Sequence, residues 1–159
     1  MADVHDVVDY IILKLDEARS GLNTLKLQKL AYYTQAWRLA LKQESLFDGR
    51  FQAWVHGPVN RELYDRFAKS HMMYDVVKVG DIRHGFDPAV LSEDVREHID
   101  EVLEAYAQFT GPQLERMTHD EAPWIQARGG RKFSERCETE IDESLMASFY
   151  KKLLDDAEK

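Results

Sequence analysis

The stretch Thr24-Leu25-Lys26-Leu27-Gln28-Lys29-Leu30-Ala31-Tyr32-Tyr33-Thr34-Gln35-Ala36-Trp37-Arg38-Leu39-Ala40-Leu41 decides the fold. Leu27, Leu30, Ala31, Thr34, Trp37 and Leu41 recur at the spacing of one helical stripe, and Tyr33, Trp37 and Ala40 trace a second that overlaps it. A helix apolar on more than one face packs against neighbours on two sides. The helix over about 24–42 is therefore expected at the centre of a mainly α, single helical domain. Asn23 or Thr24 supplies the cap, because a short side-chain oxygen accepts from the open amides of the first turn. Lys26, Lys29, Arg38 and Lys42 mark the positions expected to stay in water.

On the N-terminal side, Val4, Val7, Val8, Ile11, Ile12, Leu15 and Ala18 give an amphipathic helix that starts near Asp3 and ends at Gly21. On the other side, Leu46-Phe47-Asp48-Gly49 has turn chemistry, and Phe51-Gln52-Ala53-Trp54-Val55 reads either as a short strand or as an extended loop. The β-branched run Tyr74–Val79 is its expected partner, giving a small two-stranded element that pairs about 51–55 with 75–79. Between them, Asn60 caps a helix over 61–69 whose Leu63, Tyr64 and Phe67 face inward.

Residues 80–90 form a connector rather than a domain boundary. Ser92 then caps a helix with Val95, Ile99, Val102, Leu103 and Tyr106 on its buried stripe. Thr110-Gly111-Pro112-Gln113 is a capping box with proline at the first helical position, and Pro123 marks another short helix that ends before Gly129-Gly130. Asp142 caps a last helix with Leu145, Phe149 and Leu153 as its stripe.

With 159 residues the chain fits one domain over 1–159 and buries roughly two-thirds of its unfolded surface without a staple. No apolar run approaches the roughly 20 residues that span a bilayer, and the acidic start lacks the basic region of a secretory signal. The single cysteine, Cys137, rules out an internal disulfide and fits a cytoplasmic chain. The net charge is −8, split into +1 over residues 1–80 and −9 over 81–159, which argues against broad binding to a phosphate backbone.

Few residues suggest chemistry. None of the six histidines falls in a metal-ligand spacing such as H-E-x-x-H. His119-Asp120-Glu121 is the one dense group of ligand types, and a metal site there needs a distant partner such as His56. Cys137 has a cation beside it but no evident base. Arg128, Arg131, Lys132 and Arg136 make one locally basic loop, read as a solvated loop in preference to an anion site. His56-Gly57-Pro58-Val59 is a rigid turn after Trp54. It is either pure architecture or the rim of a groove carrying Trp54, His56 and Tyr64, with Arg61 beside them.

Three separated motifs then carry a resemblance. They are Thr24-x-Lys26-Leu27-Gln28-Lys29-Leu30-x-Tyr32-Tyr33-x-Gln35-x-Trp37; Leu46-Phe47 with Ala53-Trp54-x-x-Gly57-Pro58-Val59; and Leu114-x-x-Met117-Thr118-His119-x-Glu121-x-Pro123-Trp124-x-x-Ala127-Arg128. Together they resemble the Panacea domain, the family of phage-associated GepA-like proteins and SocA-like antitoxins, over about residues 4–155. His56 stands where the family often has an aromatic residue, and Met117 where it often has leucine. The resemblance implies a mostly helical antitoxin that binds a cognate toxin encoded beside it. For the SocA-like branch it implies delivery of that toxin to a ClpXP-type protease.

The expected partner surface comprises Trp54, His56, Gly57, Pro58, Arg61 and Tyr64 from the first half, and His119 and Trp124 from the third motif. No cofactor is expected. Two rival classes remain: a metal-assisted hydrolase on His56, His119 and Glu121, and a winged-helix-like DNA binder, against which the acidic balance argues.

Overall fold

The computed structural model describes residues 1–158, so Lys159, the end of the expected domain, lies outside the described residues. Helix α1 (Val4–Glu17) is capped by Asp3, whose carboxylate accepts from the amides of His5 and Asp6. Helix α2 (Thr24–Lys42) is capped by Asn23 and ends on Gln43 in a left-handed conformation, φ 55°. It is the axis of the molecule, in contact with α1 and with the later helices α4 (Glu93–Tyr106), α5 (Gly111–His119) and α7 (Glu143–Ala157). Short helices α3 (Arg61–Ala68) and α6 (Ala122–Arg128) complete a set of seven among the described residues. The fold is mainly α with one small sheet.

Enclosure of α2 exceeds what its apolar stripes require: every residue from Leu25 to Ala36 is buried, and so are Arg38, Leu39 and Ala40. The expectation that Lys26, Lys29 and Arg38 face water is therefore corrected. Their aliphatic stems lie in the core, and their polar ends reach partners: Lys26 Nζ donates to Ala107 O (2.7 Å), Lys29 Nζ to Pro58 O (3.2 Å), and Arg38 Nη2 to Asp94 (2.8 Å) and Glu44 (3.0 Å). Lys42 is exposed as expected, while Leu41 is exposed although the first stripe included it.

The small sheet is antiparallel but pairs different segments from those expected. Strands β1 (Gln52–Trp54) and β2 (Gly57–Val59) form a hairpin closed by Val55 and His56, with Trp54 opposite Gly57 and Gln52 opposite Val59. A two-residue loop followed by a glycine at φ 103° makes this local pairing available at once, so 51–55 does not wait for 75–79. The far side of β1 is covered by residues 139–141, through Ala53 N–H to Thr139 O (2.9 Å) and Ile141 N–H to Phe51 O (2.8 Å). The run Tyr74–Val79 instead meets the approach to α2: Val77 N–H donates to Leu22 O (2.9 Å), which leaves Val76 and Val79 exposed.

In α7 the stripe lies one residue from its expected place. Met146 and Tyr150 are buried, Leu145 and Phe149 are half-buried, and Leu153 is exposed. One residue is a rotation of about 100°, and the aromatic cluster on α2 makes the choice. Tyr150 packs edge-on to Tyr32 and Tyr33 and tilted against Trp37, and its hydroxyl lies 3.1 Å from that of Tyr32.

Candidate functional site

The hairpin and α3 are both fastened to α2. Gln28 donates from Nε2 to Asn60 O (3.1 Å) and accepts at Oε1 from Asn60 N–H (2.8 Å), so its amide stands in for a strand partner. Asn60 in turn caps α3 by accepting from Leu63 N–H (3.0 Å). At the next residue of α2, the Lys29 stem runs under Gly57. A Cβ at Gly57 would lie 2.5 Å from Lys29 Cε and 2.9 Å from Thr118 Oγ1. Only glycine lets the strand pass this close with its positive φ. Burial of Lys29, only 1% exposed, pushes its ammonium down to about 7.

These attachments leave a groove of about 500 Å³ between the start of α2, the hairpin, α3 and the loop before residue 139. Leu27, Val59, Leu63 and Phe67 form an apolar floor. The wall is aromatic and cationic: the rings of Trp54 and Tyr64 lie 4.9 Å apart, and the Arg61 guanidinium sits 5.7 Å from the first and 5.6 Å from the second. Tyr64, expected to face inward, is 43% exposed on this wall. His56 stands at the hairpin tip with Nδ1 3.1 Å from Glu115 Oε1.

Trp54, His56, Arg61 and Tyr64 thus line one groove, bounded by the hairpin that contains Gly57 and Pro58. Trp124 does not open onto it. It is 6% exposed, its indole N–H donates to Trp54 O (2.8 Å), and its ring stacks on His119 at 4.0 Å. His119 is half-buried, with Nε2 shielded from solvent and without a hydrogen-bond partner among the described residues; burial pushes its imidazolium pKa down. These two side chains brace the hairpin from behind.

The hydrolase constellation does not assemble. Glu121 turns into the core, where Oε1 accepts from the hydroxyls of Tyr33 (2.8 Å) and Tyr150 (2.7 Å). His56 is engaged by Glu115, and His119 lies flat on Trp124. Among the described residues no three His, Cys, Asp or Glu side chains are arranged to hold a metal ion. Desolvation pushes the Glu121 carboxyl up to about 7 against the pull of its two tyrosine donors.

Two supports were not legible as such in the residue pattern. Arg128, placed in a solvated basic loop by its neighbours in sequence, is buried; it donates to Ala53 O (2.9 Å) and Lys132 O (3.0 Å) and lies over the Trp124 ring at 5.0 Å. Gln28 carried no assigned role. The available signal was Gln28 and Gln35, seven residues apart and each next to apolar positions of the central helix, since polar groups at buried positions need fixed partners. Gln35 does for the next loop what Gln28 does for Asn60, donating to Phe47 O (2.8 Å) and accepting from Leu46 N–H (2.8 Å).

No helix among the described residues is long and apolar enough to cross a membrane. No solved structure matches the chain. It is similar to a protein named Antitoxin SocA from Caulobacter vibrioides (strain NA1000 / CB15N), 28% identical over 128 residues, covering 77% of this chain and 68% of that protein. The family model described as "Antitoxin SocA-like, Panacea domain" matches residues 27–125, a span that takes in most of α2, the hairpin, the groove helix α3 and the bracing segment through Trp124. The chain belongs to the SocA-like antitoxin family of Panacea-domain proteins.

Proposed function

We propose that this chain is an antitoxin that neutralises a cognate protein toxin, encoded beside it, by direct contact and without catalysis. The toxin docks in the groove on Trp54, His56, Arg61 and Tyr64, while Gly57, Pro58, His119 and Trp124 hold the hairpin in shape. One observation carries this reading: an exposed tyrosine, a tryptophan and an arginine meet above a buried apolar floor. Binding energy at protein interfaces concentrates in these residue types at such places. The protein works in the cytoplasm, and delivery of the captured toxin to a ClpXP-type protease is a further step of the same activity.

The test is co-expression with the neighbouring reading frame. Rescue of growth together with a complex that co-purifies supports the antitoxin. A neighbour that is harmless alone and does not bind removes it. The delivery step is read separately as the half-life of the toxin: it shortens only when both this chain and the protease are present, and an unchanged half-life rejects delivery alone.

A further inference from the structure

The groove carries a charge pattern at odds with the molecule around it. The whole chain has a net charge of −8, yet among the exposed charged side chains that line the groove Arg61 and Arg136 are opposed by Glu138 alone, while Lys29 is buried. His56 and His71 also line it, the first facing Glu115 and the second facing Asp81 at 3.3 Å. At the rim, two guanidinium groups share one carboxylate oxygen. Glu138 Oε1 lies 2.8 Å from Arg136 Nη2 and 3.8 Å from Arg61 Nη1. A second carboxylate, Asp65, reaches Arg61 at Nε (3.3 Å).

A guanidinium presents five N–H donors in a planar fork and pairs best with a carboxylate in two parallel bonds. Two such forks served by one Glu138 oxygen and one Asp65 oxygen leave donors free for another acid. Arg61 is already oriented by the Trp54 and Tyr64 rings, and its side chain is 51% exposed; that of Arg136 is 85% exposed. Beside them lies the apolar floor.

We infer that the groove takes an apolar segment of the toxin flanked by a carboxylate, which closes onto Arg61 and Arg136 as the aliphatic or aromatic side chains of that segment settle on Leu27, Val59, Leu63 and Phe67. The identity of the partner rests on the antitoxin reading; the chemistry of the segment rests on the groove. A nucleic acid is disfavoured at the same place, because Glu138, Asp65 and Glu115 interrupt the cations and a phosphate backbone needs an extended positive footprint. Rim charges of this kind govern which partner is accepted and how fast it associates.

Two synthetic amphipathic peptides with the same leucine and phenylalanine face, one flanked by glutamates and one by lysines, test the chemistry without the toxin. Titration with the glutamate peptide should move the NMR signals of the Trp54 indole and of Val59 and Leu63, and the lysine peptide should bind more weakly by roughly tenfold. The double variant Arg61→Glu, Arg136→Glu should reverse that order. Glu138→Gln, which removes the carboxylate charge that the two guanidiniums share and leaves Arg61 paired only with Asp65, should tighten the glutamate peptide. All three positions are at the surface, so melting temperatures should stay near that of the wild type.

Equal binding of the two peptides, preference for the lysine peptide, binding of neither, or tighter binding of a single-stranded oligonucleotide overturns the inference. A parallel growth assay with the neighbouring toxin separates the two claims. If the wild type fails to rescue while the glutamate peptide still binds in the groove, the antitoxin reading falls and the groove chemistry stands. If the wild type rescues and the double charge reversal rescues equally well, the antitoxin reading stands and the docking inference falls.

Discussion

Gln28 and Asn60, 32 residues apart in sequence, share two hydrogen bonds through one side chain and the backbone N–H and C=O of one residue: Gln28 Nε2 donates to Asn60 O at 3.1 Å, and Asn60 N–H donates to Gln28 Oε1 at 2.8 Å. Both residues are buried. The pair sets where the hairpin ends and where α3 begins, and so it fixes the two walls of the groove relative to α2. Replacing Gln28 by leucine keeps the volume but strands a buried N–H and a buried C=O, each costing about 1–3 kcal/mol. Gln28→Leu should therefore lower unfolding free energy by about 2–4 kcal/mol in urea titration. A loss below about 0.5 kcal/mol, the level of an ordinary surface change, would show that the loop finds other partners.

Gly57 answers to the same geometry from the other strand. Its φ of 103° is strained for any side chain, and a methyl group there meets Lys29 and Thr118. Gly57→Ala should cost about 2–4 kcal/mol, the backbone term and the overpacking term acting together. Thermal unfolding measures it, and a melting temperature equal to that of the wild type would mean that the hairpin is not seated on Lys29.

Lys29 should give the chain a distinctive alkaline response. In the unfolded chain its ammonium keeps the proton up to about 10.5, whereas in the folded chain burial brings that down to about 7. Between those values the unfolded state binds more protons, so wild-type stability rises with pH across the window and its full penalty applies below about 7. Lys29→Met has no such slope. Urea midpoints of the two proteins should therefore differ least in the variant's disfavour near pH 6.5 and diverge towards the wild type by pH 9.5. Parallel curves across that range would place a charged ammonium comfortably in the folded state.

Glu121 gives the opposite slope at lower pH. Desolvation raises its folded-state pKa from 4.5 to about 7, so between those values the folded chain holds the extra proton. Stability from this group is complete below about 4.5 and is lost as pH rises through about 7. In Glu121→Gln the amide oxygen still accepts from Tyr33 and Tyr150 and nothing ionises. The variant should gain on the wild type as pH rises from 4.5 to 8, by up to about 3 kcal/mol at about 1.4 kcal/mol per pKa unit. If the wild type does not fall relative to the variant over that range, the two tyrosine donors compensate burial fully.

Helix starts were the most legible feature of the sequence, because a cap is a local signal. Asn60, Ser92, Thr110 with Gln113, and Asp142 cap the helices that the residue pattern assigns to them, Asn23 rather than Thr24 caps α2, and α1 starts beside Asp3 as expected. The central place of α2 was legible for a similar reason, since two overlapping stripes cannot be satisfied at a surface. Less could be read where distant contacts decide. The stem of a lysine is apolar enough to be buried when a carbonyl waits at its end, and only the fold says that Pro58 O and Ala107 O stand there. The register of α7 depended on the Tyr32, Tyr33 and Trp37 rings, which the spacing of Leu145, Phe149 and Leu153 by four does not encode. At the groove, aromatic residues beside a rigid turn were legible as a group. That Tyr64 would face out, Trp124 in, and Arg136 arrive from a distant part of the sequence followed from packing that no local spacing records.

The contrast between Tyr64 and Trp124 gives the last prediction, because the two are aromatic neighbours of Trp54 on opposite sides. Tyr64 is half-exposed, packs 4.9 Å from the Trp54 ring, and has no hydrogen bond among the described residues that its loss would strand. Trp124 is buried, donates to Trp54 O and carries both His119 and Arg128 on its ring faces. If the toxin docks in the groove, His56→Ala, Arg61→Ala and Tyr64→Ala should each weaken the complex by about 1–3 kcal/mol while moving the melting temperature little. Trp124→Ala should instead lower stability by about 3–5 kcal/mol, and lose affinity only as far as the hairpin is displaced. Isothermal titration against the co-purified toxin, with thermal unfolding of each free variant, separates the two patterns. Normal binding by all three groove variants, or a loss of stability in each that matches its loss of affinity, would move the interface elsewhere, and the exposed acids Glu93, Glu97, Glu101 and Glu104 on α4 would be the next surface to mutate.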